Sequence, residues 1–219
     1  MEFPMFGAEK HIAHNATMNE VSLPDDITVE LAELYAEMED RYAKVAADLQ
    51  FSCTGCPDNC CDSYFQHHTY IEWAYLWKGL KELADKELEE ITAKAASYIK
   101  QSEAKLSRGE LPDSMCPLNR DGLCTVYSHR LMICRLHGVP ATLTRPDGKV
   151  LSFPGCFRCQ ELVEQKKGTG NKLPSMERIE LYKSLAELEM RLLSGQLQAL
   201  PKVKMTIAHM IIKGPPLQV

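Results

Sequence analysis

Cys53-Thr-Gly-Cys56-Pro-Asp-Asn-Cys60-Cys61 sets four thiols within nine residues, and Cys116, Cys124, Cys134, Cys156 and Cys159 follow further along the 219-residue chain. Thiolate sulfur is a soft donor that selects zinc, copper(I) and iron–sulfur clusters. Two cysteines with two residues between them can reach one ion from a single tight turn, the spacing of Cys53/Cys56 and of Cys156/Cys159. Paired, they read as the two knuckles of a four-cysteine zinc or single-iron site, although the hundred-odd residues between them far exceed a compact zinc ribbon. Cys60 and Cys61 are adjacent. On an extended backbone their side chains point to opposite faces. The first loop is therefore expected to be half of a composite site, completed by Cys116, Cys124 and Cys134, with the Cys156/Cys159 knuckle as a further contributor. All nine cysteines are candidate ligands. Two four-coordinate centres would use eight of them, and one four-iron cluster would use four. Nine is odd, so a fully paired disulfide framework within one chain is excluded.

Other side chains near these thiols have plainer readings beside the chemical one. Cys134, in Leu131-Met-Ile-Cys, also reads as a small buried hydrophobe. Arg130 and Arg135 flank the loop and could offset the negative charge of a thiolate-bound cluster. Tyr127 is expected to pack in the core. His67, His68, His129 and His137 carry imidazoles suited to zinc or iron, but nine thiols leave no need for them. Trp73, Trp77, Met205 and Met210 read as apolar helix faces.

The elements that must position these residues are mostly helical. Pro24-Asp25-Asp26 announces a helix, with an aspartate as N-cap. Leu31, Leu34, Tyr35, Met38, Tyr42 and Val45 continue it with helical periodicity over about 27–49. A second helical pattern runs over 69–106, with Thr69 as cap and a break near Asp85. Gly55, Pro57, Asp58 and Asn59 are turn formers between the two. A short helix is expected over Ser128–Arg135. Asp147-Gly148 between β-type runs predicts a hairpin within 139–153. Residues 165–172 read as a polar linker. A helix is predicted from Pro174-Ser175, and a last short one over 202–212. The expectation is a mainly α fold, a single helical domain with cysteine-rich metal-binding loops and a small β-hairpin. Residues 1–23 form an N-terminal arm and 24–219 the domain, with the cysteine cluster region at 50–160 and a C-terminal helical region at 174–213.

Composition narrows the function classes. With 45% hydrophobic and 25% charged residues the chain is that of a globular protein, and a net charge of −5 offers no basic footprint for nucleic acid. No run approaches the roughly 18–20 apolar residues that span a bilayer, and the first ten residues lack the pattern of a secretory leader. The expectation is a cytoplasmic protein with neither nucleic acid nor membrane as partner. Thiols stay reduced there, which favours metal binding over disulfides. There is no Gly-x-Ser-x-Gly elbow, phosphate-binding loop, dinucleotide fingerprint or His-Glu-x-x-His, so catalysis stays an open question.

The second block, Cys116-Pro-Leu, then Gly122-Leu-Cys124-Thr-Val-Tyr127-Ser-His-Arg130-Leu-Met-Ile-Cys134-Arg135, following the 53–61 cluster, resembles the signature of the YkgJ-type cysteine cluster family, described as zinc- or iron-chelating domains. Val126 stands where that pattern has Ile, and Leu131 where it has Pro. The resemblance covers about residues 50–160. It implies an iron–sulfur cluster, [4Fe-4S] in type, or Zn2+ as the alternative. The expected role is electron transfer, redox sensing or metal handling, with a redox or protein partner left open. The alternatives are a structural zinc protein that binds a partner, and a methylase-like enzyme, since a related cysteine-rich domain occurs in a flagellin lysine methylase.

Overall fold

Helix α1 (Asp25–Leu49) repeats apolar residues at three- and four-residue steps, so Ile27, Leu31, Leu34, Tyr35, Met38, Val45 and Leu49 form one buried stripe. The aspartates lie in its first turn, where the helix dipole favours negative charge, but neither caps it; Pro24 holds the N-cap position. Gln50 closes the helix in the left-handed conformation. The chain here is a computed structural model, which describes residues 20–54, 60–166, 173–194 and 200–217. Most of the expected arm, Cys56, the side chain of Cys60 and most of the expected polar linker lie outside the described residues.

The predicted 69–106 helix is two helices, α2 (Tyr70–Leu80) and α3 (Asp85–Leu106), broken at the expected place. Thr69 caps α2 by accepting from the Glu72 N–H. Nine of the eleven residues of α2 are buried. Such a helix needs apolar partners on several sides. Its Ile71 and Tyr75 join the core made with α1, whereas Tyr70, Trp73, Leu76 and Leu80 join a second core with α3 and the C-terminal segment. Both tryptophans are held from behind: the Trp73 and Trp77 indole N–H groups donate to the Met210 carbonyl at 3.2 and 2.9 Å.

The expected Ser128–Arg135 helix is interrupted. A 3-10 turn covers Tyr127–His129, and α4 (Met132–Leu136) starts anew after an extended Arg130-Leu131. The hairpin appears as β3 (Ala141–Thr144) and β4 (Val150–Phe153), antiparallel with Ala141 opposite Phe153 and Thr144 opposite Val150. Two strand elements depart from expectation. Asp121 and Gly122 both take positive φ, as a two-residue hairpin turn demands. They join β1 (Asn119–Arg120) to β2 (Leu123–Cys124). Met176–Glu177, predicted to start a helix, is instead β5, parallel to β3. The helix that follows, α6 (Ile179–Leu192), packs Leu181, Leu185 and Leu188 against α1. Helix α5 (Phe157–Lys166) was not foreseen, and α7 (Ile207–Lys213), capped by Thr206, is the last helix among the described residues. The fold is mainly α, and no helix among the described residues is long and apolar enough to cross a membrane.

Candidate metal centre

One cavity of about 540 Å³ opens between the two cores, with Cys53, Cys61, Cys116, Cys124 and Cys134 in its wall. Four separate segments deliver the last four of these thiols. Cys61 lies in a 3-10 turn, Cys60–Asp62, and not on the extended backbone its adjacency to Cys60 suggested. Its carbonyl accepts from the Cys116 N–H at 2.9 Å, which ties the first loop to the second. The β1–β2 hairpin then folds Cys124 back: Asn119 N–H donates to the Cys116 carbonyl at 2.9 Å, and Cys124 pairs with Asn119. Cys134 comes from α4.

The thiols are partly buried beside one another. Burial drives Cys116 well above the ordinary thiol range, and the nearby Cys134, Cys61 and Cys124 push it further. Burial likewise moves Cys134 up to about 12, with Cys124 and Cys61 adding to it, and raises Cys124. Opposing this, the Leu118 N–H favours thiolate at Cys116 and the Val126 N–H does so at Cys124. The same offset of two residues recurs at both sulfurs, so each is served by a turn of one shape. A metal would displace the protons and relieve the mutual repulsion. Among the described residues no three His, Cys, Asp or Glu side chains stand close enough together to hold a metal ion as they are.

Arg130 and Arg135 reach the same place, and both pull the Cys124 thiol down electrostatically. Arg135 is buried. Its Nε donates to the Arg130 carbonyl at 2.8 Å and its second terminal nitrogen to the Ser128 carbonyl at 2.7 Å. It also pairs with Glu39 and lies 4.4 Å over the Tyr35 ring. One guanidinium thus ties the 3-10 turn, α4 and α1 together. Arg130 stacks 3.7 Å over Tyr127, which is 55% exposed and so is not the core residue expected of it.

Sequence reading missed the two glutamates that aim α4. Glu72 and Glu189 are buried, and burial raises both carboxyls above the ordinary range. Glu189 of α6 accepts from the first free N–H groups of α2, Tyr70 at 2.8 Å and Ile71 at 2.7 Å. Glu72 of α2 in turn accepts from the Met132 N–H, the first of α4, at 2.8 Å. Each carboxylate satisfies helix-terminal donors of the next element. The relay ends on the five-residue helix that carries Cys134. The signal was there: Glu72 sits inside an otherwise apolar Tyr-Ile-Glu-Trp-Ala-Tyr-Leu-Trp run, and Glu189 falls in step with Leu185, Leu188 and Leu192.

The histidines divide. His129 packs tilted against α2, its ring 4.7 Å from that of Tyr75, and leaves no room for a side chain at Gly79. His137 meets Phe65 ring to ring, and His68 Nδ1 lies 3.3 Å from the Val203 carbonyl. His67 is buried in the cavity wall with neither ring nitrogen hydrogen-bonded, and burial depresses it to about 3.

Cys156 and Cys159 take no part in this wall. They pack against the α1 core, whereas Cys116 and Cys124 pack against the other. Of the composite that the spacing suggested, only the Cys156/Cys159 knuckle lies apart from this wall. Cys53, Cys116, Cys124, Cys134, Cys156 and Cys159 are free thiols. No family model, curated protein or solved structure matches the chain, so the likeness to the cysteine cluster family rests on its motif residues alone.

Proposed function

We propose that Cys61, Cys116, Cys124 and Cys134 hold an iron–sulfur cluster, [4Fe-4S] in type, and that the protein serves electron transfer, redox sensing or metal handling in a reducing compartment such as the cytoplasm. The observation that carries this reading is the meeting of Cys61, Cys116, Cys124 and Cys134, from four separate segments, at one cavity that Arg130 and Arg135 also approach. An all-sulfur donor set suits iron–sulfur chemistry. The guanidinium groups would offset the cluster's negative charge and raise its potential. The motif resemblance to the YkgJ-type family points the same way.

Iron and acid-labile sulfide, measured on anaerobically purified protein, test the reading. Wild type is expected to be brown and to contain both. Cys124→Ser and Cys134→Ser are each expected to lose both. A colourless wild type with stoichiometric zinc and no sulfide would replace the cluster by a structural zinc ion on the same four thiols.

A further inference from the structure

Cys156-Phe-Arg-Cys159 stands apart from the cavity, between a strand and a helix. Strand β4 ends at Phe153, Pro154-Gly155 turns the chain, and α5 begins at Phe157. The Cys156 carbonyl accepts from the Gln160 N–H at 3.0 Å, so Cys156 is the N-cap of α5 and Cys159 falls in its first turn. Helix geometry puts Cα atoms three residues apart at about 5 Å. A disulfide spans roughly 4.4–6.8 Å between Cα atoms. The backbone is therefore already spaced for a bond between these two residues. It is also held in place. The Cys156 N–H donates to the Gly138 carbonyl at 3.1 Å. A Cβ on Gly155 would stand 2.6 Å from that carbonyl, and Gly155 has φ +86°, so this close approach requires glycine. At the far end of α5, Lys166 Nζ donates to the Leu49 carbonyl at 2.6 Å.

The two thiols differ as an attacking and a resolving thiol must. Cys156 is partly exposed and stands at the start of a ten-residue helix, where the dipole favours negative charge. Phe157 beside it is 51% exposed, an apolar contact point for a polypeptide. Cys159 is fully buried and belongs to the α1 core. Burial raises its thiol to about 11, with Cys156 and then Cys53 adding to the rise. A thiol held protonated in this way waits until a disulfide sulfur is brought to it.

We propose that Cys156 and Cys159 form a thiol–disulfide exchange site that acts on a disulfide of a partner protein. This goes beyond the cluster and requires only that the cluster leave these two thiols unligated. Cys156 loses its proton, and its thiolate attacks one sulfur of the partner's disulfide. The partner's S–S bond breaks, its other sulfur leaves as thiolate and takes up a proton, and a mixed disulfide joins the two proteins. Cys159 then gives up its proton and attacks Cys156 Sγ. The mixed disulfide breaks, the Cys156–Cys159 bond forms, and the partner's second sulfur leaves as thiolate and is protonated. Two electrons and two protons pass to the partner, which is reduced to a dithiol. In a reducing compartment such a pair is transient and is returned to two thiols by the surrounding thiol pool.

Alkylation and mass mapping test this on the whole chain, kept anaerobic and treated either with insulin as the protein disulfide or with oxidised glutathione. Wild type treated with insulin is expected to yield a Cys156–Cys159 disulfide and separated insulin chains, with its iron and sulfide unchanged. Dithiothreitol should restore both thiols. Cys159→Ser is expected to stop at a mixed disulfide between Cys156 and insulin, and Cys156→Ser to form none. The wild-type arm needs no variant to fold. The proposal is overturned if Cys156 and Cys159 stay open to alkylation after insulin, if either is found joined to Cys53, or if Cys156→Ser captures insulin as Cys159→Ser does. Reaction with oxidised glutathione alone would overturn the protein partner. Loss of iron and sulfide from Cys156→Ser would make Cys156 a cluster ligand and remove the exchange site. A colourless wild type that still forms the Cys156–Cys159 disulfide would instead sink the cluster reading and leave the exchange site standing.

Discussion

His67 shows how far one residue can be taken from physics alone. Its imidazole is buried, unpartnered and depressed to about 3. The unfolded chain takes up a proton near pH 6.5, and the folded chain does not until near pH 3. Between those values the unfolded state binds more protons, so stability falls as pH falls. From pH 6.5 to 5 the loss is about 2 kcal/mol. His67→Leu fills the space with apolar atoms and has nothing to titrate. Urea denaturation at several pH values is expected to show wild type losing about 2 kcal/mol against the variant over that range; parallel curves would refute the assignment. The cysteines were legible because thiols chain a few chemistries to a few spacings. The buried glutamates were not, because a carboxylate's role depends on which N–H groups it meets, and those belong to other helices.

At the scale of elements, turn chemistry was readable and partner-dependent structure was not. Asp147-Gly148 predicts its hairpin, and the same dipeptide at 121–122 makes another, closed by two positive φ angles. Its strands are two residues long, too short for any alternation to announce them. β5 exists because β3 offers it an edge: the Met176 N–H donates to the Pro140 carbonyl at 3.0 Å. The tightest demand falls on Gly138. Gly138→Ala combines left-handed strain with a clash against Tyr42, at a cost of about 2–4 kcal/mol. Gly148→Ala meets open space and should cost about 1–2 kcal/mol from backbone strain alone. Thermal unfolding of the two variants is expected to rank them in that order, and an equal loss would mean that Tyr42 moves aside freely.

For the whole molecule, α2 is the shared wall of two cores, and Glu189 fixes where that wall begins. Glu189→Ala leaves two buried N–H groups without an acceptor and is expected to cost about 2–5 kcal/mol, whereas Glu189→Gln keeps one acceptor and should cost less. Equilibrium denaturation ranks them; equal costs would show that charge, and not the hydrogen bonds, matters. The same split into cores separates the thiols. By itself the sequence determined the helical class, the main helices and the identity of the sulfur donors, because periodicity, caps and soft-donor chemistry are local properties. Only the tertiary structure decided which sulfurs share a neighbourhood. Cys53, Cys61, Cys116, Cys124 and Cys134 gather in the wall of one cavity, and Cys156 and Cys159 pack against the α1 core. Proximity between distant segments is set by which apolar faces pack together, and no spacing along the chain encodes it.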